Sequence, residues 1–174
     1  MGPRRGCVGA GIEFEPGDAT SVLLAGDETA APAMASILED LHPGTRGTAL
    51  IEVPSRADVL AIDAPAGVDV RWLPRSGGAH GSALVPAVLA LVGVPAPAPV
   101  GADPGDDLLW ETPTYSALGE DVVADPAGSG RYYWIAGESS VVKALRRHLM
   151  TEAGIHRSHV AFMGYWRLGA PRRG

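Results

Sequence analysis

The sequence predicts an α/β fold in three layers, with a parallel sheet that carries helices on both faces. Short apolar runs of strand length alternate along the chain with segments of helical periodicity. Glycine followed by an acidic residue separates an apolar run from the next helical segment at two places, Gly26 and Gly137. The 174 residues are enough for one domain with a substantial core.

The first predicted unit is a strand followed directly by a helix. Residues 1–20 are rich in glycine and proline, which predicts a loop. The apolar run of residues 22–25 is too short for a helix and predicts a buried strand. Met34, Ile37, Leu38 and Leu41 then follow helical spacing. Thr29 or Asp27 is the expected N-cap, and Pro32 is tolerated in the first turn.

The remaining elements repeat this alternation. We expect strands at residues 48–53, 68–73, 132–136 and 160–163, helices at residues 82–92 and from Ser140, and a short helix or turn at residues 55–58. The last helix has Val141, Val142, Leu145 and Leu149 on one face. Residues 93–107 are proline-rich and predict a surface connection, with an irregular stretch continuing to Gly130.

Composition and charge exclude several classes of protein. The net charge of −6 argues against a nucleic-acid partner. Cys7 is the single cysteine, so the chain has no internal disulfide and no cysteine-based metal site. No apolar run approaches the roughly 20 residues of a membrane span. The amino end lacks the apolar region of a secretory signal, so we expect a cytoplasmic protein.

The two glycine–acid junctions are the candidate site. If the crossovers are right-handed, residues 26–29 and 137–139 open at the same carboxyl edge of the sheet. Backbone N–H groups and the positive end of a helix dipole attract phosphates there. The alternatives are ordinary tight turns, with Asp27 as a helix cap. No Ser–His–Asp set and no cluster of metal ligands is visible in the sequence.

Several segments resemble the siderophore-interacting proteins, flavin-dependent ferric-siderophore reductases related to the ferredoxin–NADP reductases. The segments are residues 23–30 (LLAGDETA), 70–73 (VRWL), 110–113 (WETP), 133–138 (YWIAGE), 145–149 (LRRHL) and 164–169 (GYWRLG). They cover nearly the whole chain from about residue 17, in the order of the family. The resemblance implies a ferredoxin-reductase-like nicotinamide-nucleotide-binding domain.

The resemblance also implies a missing half. Family members have an amino-terminal flavin-binding barrel, and residues 1–20 resemble the remnant of its link to a domain at residues 21–174. The barrel's flavin motif places an arginine two residues before Tyr-Ser or Tyr-Thr. The pair Tyr115 and Ser116 has Pro113 at that position instead. FAD would therefore come from a flavin-binding domain in the same polypeptide or in a partner chain.

By resemblance, the two junctions bind NAD(P)H. The implied cofactor-binding residues are Gly26, Asp27, Glu28, Thr29, Ala136, Gly137, Glu138 and Ser139. Arg75 and Ser76 follow the third strand, where this superfamily reads the adenosine ribose, and a cation with a hydroxyl there favours NADPH. The alternative for Arg75 is a solvated surface arginine. Trp72 is interpreted as a core residue and His80 as a flexible-loop residue.

The carboxyl end carries the implied substrate site. Family members have a basic residue after the Tyr-Trp pair that is associated with docking anionic siderophores, and Arg167 holds that place beside Trp166. Arg172 and Arg173 extend the charge or form a frayed tail. The resemblance implies the NAD(P)H-binding half of a reductase that releases iron by reducing Fe(III) to Fe(II). The alternatives are a non-catalytic nucleotide- or siderophore-binding module and, less favoured, an unrelated small Rossmann-like enzyme.

Overall fold

The computed structural model describes residues 12–95, 110–112, 115–116 and 130–169. The strands are β1 (Ser21–Asp27), β2 (Arg46–Val53), β3 (Val68–Pro74), β4 (Trp110–Thr112), β5 (Tyr115–Ser116), β6 (Arg131–Glu138) and β7 (Val160–Trp166). The α-helices are α1 (Ala31–Asp40), α2 (Leu84–Val92) and α3 (Ser139–Arg147). Single turns of 3₁₀-helix lie at Arg56–Asp58 and Arg157–His159, and a π-helical turn at His148–Glu152 extends α3.

The seven strands in the described residues form one sheet in the order β3-β2-β1-β6-β7-β4-β5. The first five strands in this order are mutually parallel, whereas β4 runs antiparallel to both β7 and β5. The chain builds outward from β1 to β3 and then returns to place β6 on the other side of β1. Between β1 and β6 the strand order therefore reverses, and at such a switch point ligands bind beyond the carboxyl ends of the strands.

Helices cover both faces of the sheet, which confirms the predicted three layers. Along β1, Val22 and Leu24 belong to the core that packs with α1, whereas Leu23 and Ala25 belong to the core that packs with α2 and α3. This alternation follows from the two-residue period of a strand buried on both faces. The buried helix residues divide in the same way, with Met34, Ile37 and Leu38 on the α1 side and Val88, Leu89, Val142 and Leu145 on the other. Trp72 is partly buried against the α1-side core, as predicted.

Two expectations about the later strands were wrong. The stretch before Gly130 was expected to be irregular, yet β4 and β5 lie within it, because a strand of two or three residues has too few side chains to show periodicity. The expected break at residues 137–139 does not occur. Gly137 and Glu138 still belong to β6 and pair with Gly164 and Trp166 of β7, across a local shift in register.

The predicted cap of the first helix was also wrong. Ala30 is the N-cap, because β1 continues through Asp27 and a short turn precedes α1. No helix in the part of the chain that the structure describes is long and apolar enough to cross a membrane. The predictions for Cys7, Arg172, Arg173 and most of the proline-rich segment fall outside the described residues.

Candidate functional site

The carboxyl ends of β1, β6 and β7 are tied together by the side chain of Asp27. Its carboxylate is buried, with 4% of the residue exposed. Oδ1 accepts hydrogen bonds from the backbone N–H of Thr29, at 2.9 Å, and from the Thr29 hydroxyl. Oδ2 accepts from the backbone N–H of Glu138, at 2.8 Å, and from Nε1 of Trp166, at 3.0 Å. Asp27 therefore organises the turn before α1 rather than capping the helix itself.

The glycines at the two junctions allow this close packing. A Cβ at Gly137, whose φ is +145°, would lie 2.7 Å from Asp27 Oδ2. A Cβ at Gly26 would lie 2.6 Å from the Cβ of Ala30 and 2.9 Å from the carbonyl oxygen of Ala136. Such distances leave no room for a side chain. The glycine–acid pairs seen in the sequence thus reflect packing between the junctions themselves.

Glu52, near the carboxyl end of β2, caps the amino end of α2. It is fully buried, and its Oε2 accepts from the backbone N–H groups of Ala83 and Leu84, at 3.0 and 2.8 Å. Its Oε1 accepts from the N–H of Gly81 at 2.7 Å. Sequence analysis missed this residue, although a carboxylate inside an apolar strand signals a buried partner, because an unpaired charge there is costly. Glu52 thus joins β2 to the start of α2.

Arg75, directly after β3, is held by carboxylates of the chain. Its two terminal nitrogens donate to the two oxygens of Glu28, at 2.7 and 2.9 Å, and Nη1 lies 3.4 Å from Glu52 Oε1. The side chain of Arg75 is 8% exposed and that of Glu28 is 31% exposed. The Arg75 hydrogen bonds lower the pKa of Glu28, and those with Glu28 raise the pKa of Arg75. The alternative of a solvated surface arginine is therefore wrong.

Glu138 repeats for α3 what Glu52 does for α2. Its Oε2 accepts from the backbone N–H groups of Ser140 and Val141, at 2.8 and 3.1 Å, and from the Ser140 hydroxyl. Its Oε1 accepts from the N–H of Leu168, just beyond β7, at 3.2 Å. The first turn of α3 is therefore already satisfied by the chain's own carboxylate.

Glu52 caps α2 and Glu138 caps α3, but among the described residues no side chain caps the first turn of α1. Its N-cap, Ala30, has no side-chain hydrogen bond, and its first turn contains no acidic residue. The helix begins beside the switch point between β1 and β6. Uncapped N–H groups and the helix dipole together make this end suited to an anion.

His80 is a fixed part of the edge, so its interpretation as a flexible-loop residue was wrong. Its ring packs edge-to-face on Trp166 with centroids 4.8 Å apart. A small cavity of about 10 Å³ lies among Asp27, Glu52, His80 and Glu138, which is room for about one water. An aromatic ring therefore does not fit between these side chains.

Asp27, Glu28 and His80 bring their potential ligand atoms within 4.8 Å of one another. The Asp27 oxygens already accept four hydrogen bonds, and both Glu28 oxygens accept from Arg75. Because the Asp27 oxygens already accept four hydrogen bonds and Arg75 neutralises the charge of Glu28, we assign no metal site to this cluster.

The other predicted site residues lie at the same carboxyl edge, with different access. Ala136 and Ser139 are each 1% exposed, so they offer a ligand no side-chain surface. Ser76 is in the turn after β3 with a φ of +51°, and its N–H donates to the carbonyl of Pro54. Trp166 ends β7, followed by Arg167, and both are partly exposed.

Comparison with known proteins gives a consistent result. The family model described as "Siderophore-interacting protein" matches residues 19–169. An uncharacterised protein of Mycobacterium tuberculosis is 34% identical over 166 residues, 93% of this chain and 50% of that protein. The ferric vibriobactin reductase ViuB of Vibrio cholerae is 28% identical over 147 residues, 84% of this chain and 43% of that protein. The chain spans about half the length of the curated relatives it matches.

Solved structures share the fold. A siderophore utilization protein from T. fusca superposes with a TM-score of 0.61 and 27% identity, covering 91% of this chain and 48% of that one. The siderophore-interacting protein SipS from Aeromonas hydrophila gives a TM-score of 0.60 and 24% identity, covering 90% and 49%. Both comparisons match this chain to about half of a longer protein.

Proposed function

The chain belongs to the siderophore-interacting protein family, and from this we propose that it is the NAD(P)H-binding half of a flavin-dependent ferric-siderophore reductase. The single observation that carries the nucleotide-binding part is the uncapped first turn of α1 at the switch point of the sheet. The reductase part is supported by the similarity to the ferric vibriobactin reductase. In this proposal residues 21–174 form the nucleotide-binding domain and residues 1–20 are the link to a flavin-binding barrel.

The charged groups at the edge limit where the pyrophosphate can bind. The first-turn N–H groups of α2 and α3 already bind Glu52 and Glu138, and the N–H of Thr29 already binds Asp27. The amino end of α1 is therefore the place where the pyrophosphate fits. With the pyrophosphate there, Arg75 and Ser76 would be the residues available to the adenosine ribose, and Gly137 and the end of β6 those available to the nicotinamide.

The chemistry of the cofactors is hydride transfer from a nicotinamide and single-electron transfer from a flavin, after which hard oxygen ligands hold Fe(II) less tightly than Fe(III). The contribution of this chain is to bind and orient the nucleotide. Asp27 fixes the relative positions of β1, β6 and β7 through its hydrogen bonds with Glu138 and Trp166. No flavin-binding residue is assigned to the chain. The proposal includes a cytoplasmic location, where nicotinamide coenzymes are available.

The substrate is proposed to dock at the end of β7. Trp166 offers a partly exposed ring and Arg167 a cation that attracts an anionic ferric siderophore. Because the chain carries a net charge of −6, a local positive charge is needed to bind an anion. Arginine also forms bidentate hydrogen bonds, which suit catecholate or hydroxamate oxygens.

The proposal is tested by calorimetric titration of the purified chain with NADH and NADPH, first alone and then with FAD. We expect one nucleotide or both to bind without flavin. Ferric-siderophore reduction, followed with a coloured Fe(II) chelator, should begin only when the flavin-binding half of a relative is added. If neither NADH nor NADPH binds to the chain, the proposed function is contradicted.

A second candidate is a non-catalytic module that binds a nucleotide or a siderophore. It is favoured by the two helix amino ends that are closed by Glu52 and Glu138, which leave fewer groups for a cofactor. Binding without iron reduction, even in the presence of an added flavin-binding half that is active with its own partner domain, would identify this function.

A further inference from the structure

We infer that the pair formed by Glu28 and Arg75 gives the nucleotide site a preference for NADH over NADPH. This inference rests on the proposed function and deepens it, because it names which coenzyme the site selects. It also reverses the expectation from sequence, in which Arg75 and Ser76 favoured NADPH.

The guanidinium group that would bind a 2′-phosphate is already occupied. An arginine binds phosphate best through two parallel hydrogen bonds from its planar fork. The fork of Arg75 makes such a pair with Glu28, at 2.7 and 2.9 Å, while its side chain is 8% exposed. A 2′-phosphate would therefore have to displace Glu28 before it could bind both terminal nitrogens of this arginine.

The charges around Arg75 also oppose a further anion. Arg75 is bound by the carboxylates of Glu28 and Glu52, and two more buried carboxylates, those of Asp27 and Glu138, lie at the same carboxyl edge of the sheet. Arg71, the other arginine of β3, is exposed and pairs with Asp69. A phosphate monoester would add about 1.5 to 2 negative charges at neutral pH. The 2′-phosphate distinguishes NADPH from NADH, so this repulsion acts against NADPH alone.

The same carboxylate suits the ribose of NADH. An ionised carboxylate has about four acceptor positions, so Glu28 can accept from a hydroxyl while it remains bound to Arg75. Its side chain is 31% exposed and can therefore be reached from solvent. In dinucleotide-binding folds an acidic residue that accepts from the ribose 2′-hydroxyl goes with NAD, and an arginine that binds the 2′-phosphate goes with NADP. This chain has both kinds of side chain, and Glu28 forms an ion pair with Arg75.

The test compares the dissociation constants of NADH and NADPH for the 174-residue chain, measured by calorimetry in one buffer without flavin. For the native chain we expect NADH to bind about tenfold more tightly than NADPH. Glu28→Gln removes the competing charge and frees the arginine, so NADPH affinity should rise about tenfold while NADH affinity falls a few-fold. The matched control is Glu39→Gln, the same charge change at an exposed position of α1, which should leave the ratio unchanged.

A double variant shows whether the gain in NADPH affinity comes from the release of Arg75 or only from the loss of a negative charge. In Glu28→Gln with Arg75→Ala, the gain in NADPH affinity should disappear, and a gain that persists would overturn the role of Arg75. Equal or tighter binding of NADPH by the native chain would overturn the inference, and so would a folded Glu28→Gln variant with an unchanged ratio. If the proposed function itself is wrong, neither nucleotide binds to the native chain or to any variant. That result differs from an unchanged or reversed ratio, and the inference would then fail as well. The native ratio remains decisive even if a variant does not fold.

Discussion

Gly137 and Asp27 are so close that a single methyl group at position 137 would lie 2.7 Å from the Asp27 carboxylate. Gly137 also has a φ of +145°, which side-chain-bearing residues rarely adopt. The oxygen that leaves no room for this methyl group accepts hydrogen bonds from Glu138 and Trp166. A change at Gly137 therefore acts on the ends of three strands at once.

Gly137→Ala should destabilise the chain by about 3 kcal/mol or more, because backbone strain and a steric clash act together. The control is Gly154→Ala, whose φ of +65° is also positive but where a Cβ meets no atom within 4 Å. Backbone strain alone should cost that control about 1 kcal/mol. Urea denaturation of the two variants gives the comparison. If both variants lose the same free energy of unfolding, the Asp27 side chain must move to make room for the new methyl group at little cost.

Glu52→Ala should destabilise the chain by about 3 to 5 kcal/mol, since it leaves Arg75 without a buried partner and the first turn of α2 without its acceptor. Glu52→Gln keeps one acceptor oxygen and should lose clearly less. Glu39→Ala on the exposed side of α1 is the control and should change stability by less than about 0.5 kcal/mol. Urea denaturation gives the free energy of unfolding of each of the three variants. A small loss for Glu52→Ala would show that water replaces the cap.

The layers of the fold were predictable because they depend on local patterns. Short apolar runs marked the strands of the parallel sheet, and the spacing of Met34, Ile37 and Leu38 marked the buried face of α1. The pairing of β4 with β7 was not predictable, because it joins backbone groups of residues far apart in sequence. Strands as short as β4 and β5 have too few side chains to show a period.

The candidate site was predictable in position but not in its interactions. The glycine–acid junctions did mark the carboxyl edge, yet their carboxylates bind the chain's own N–H groups. Arg75 and Glu28 are 47 residues apart, so no spacing rule could pair them. Glu52 carried a usable signal, because a charge within an apolar run indicates a buried partner.

Arg167→Glu should weaken binding of an anionic ferric siderophore at least tenfold and leave nucleotide binding unchanged, because it reverses a charge at the end of β7 only. Arg131→Glu makes the same change at the amino end of β6, the opposite edge of the sheet, and should affect neither ligand. Quenching of tryptophan fluorescence measures siderophore binding, and calorimetry measures the nucleotide. An equal loss of both ligands in Arg167→Glu would contradict the separate substrate site.

The interaction of Glu28 with Arg75 should contribute to stability in a way that depends on pH. Hydrogen bonding to Arg75 lowers the pKa of Glu28 in the folded chain from its ordinary value of 4.5. The stabilisation is therefore complete above pH 4.5 and is lost as the pH falls through the folded-state pKa, where Glu28 becomes protonated. Since Glu28 is partly exposed, we expect a contribution of about 1 kcal/mol at pH 7.

The check is the difference in free energy of unfolding between the native chain and Glu28→Gln, measured in urea from pH 7 to pH 3. All other carboxylates are common to both proteins, so their titration cancels in this difference. Below about pH 5 the difference should shrink, because Glu28 is protonated in the unfolded chain before it is in the folded one. A difference that stays constant to pH 3 would mean that the two side chains do not interact in solution, and Arg75 would then be free to bind a phosphate.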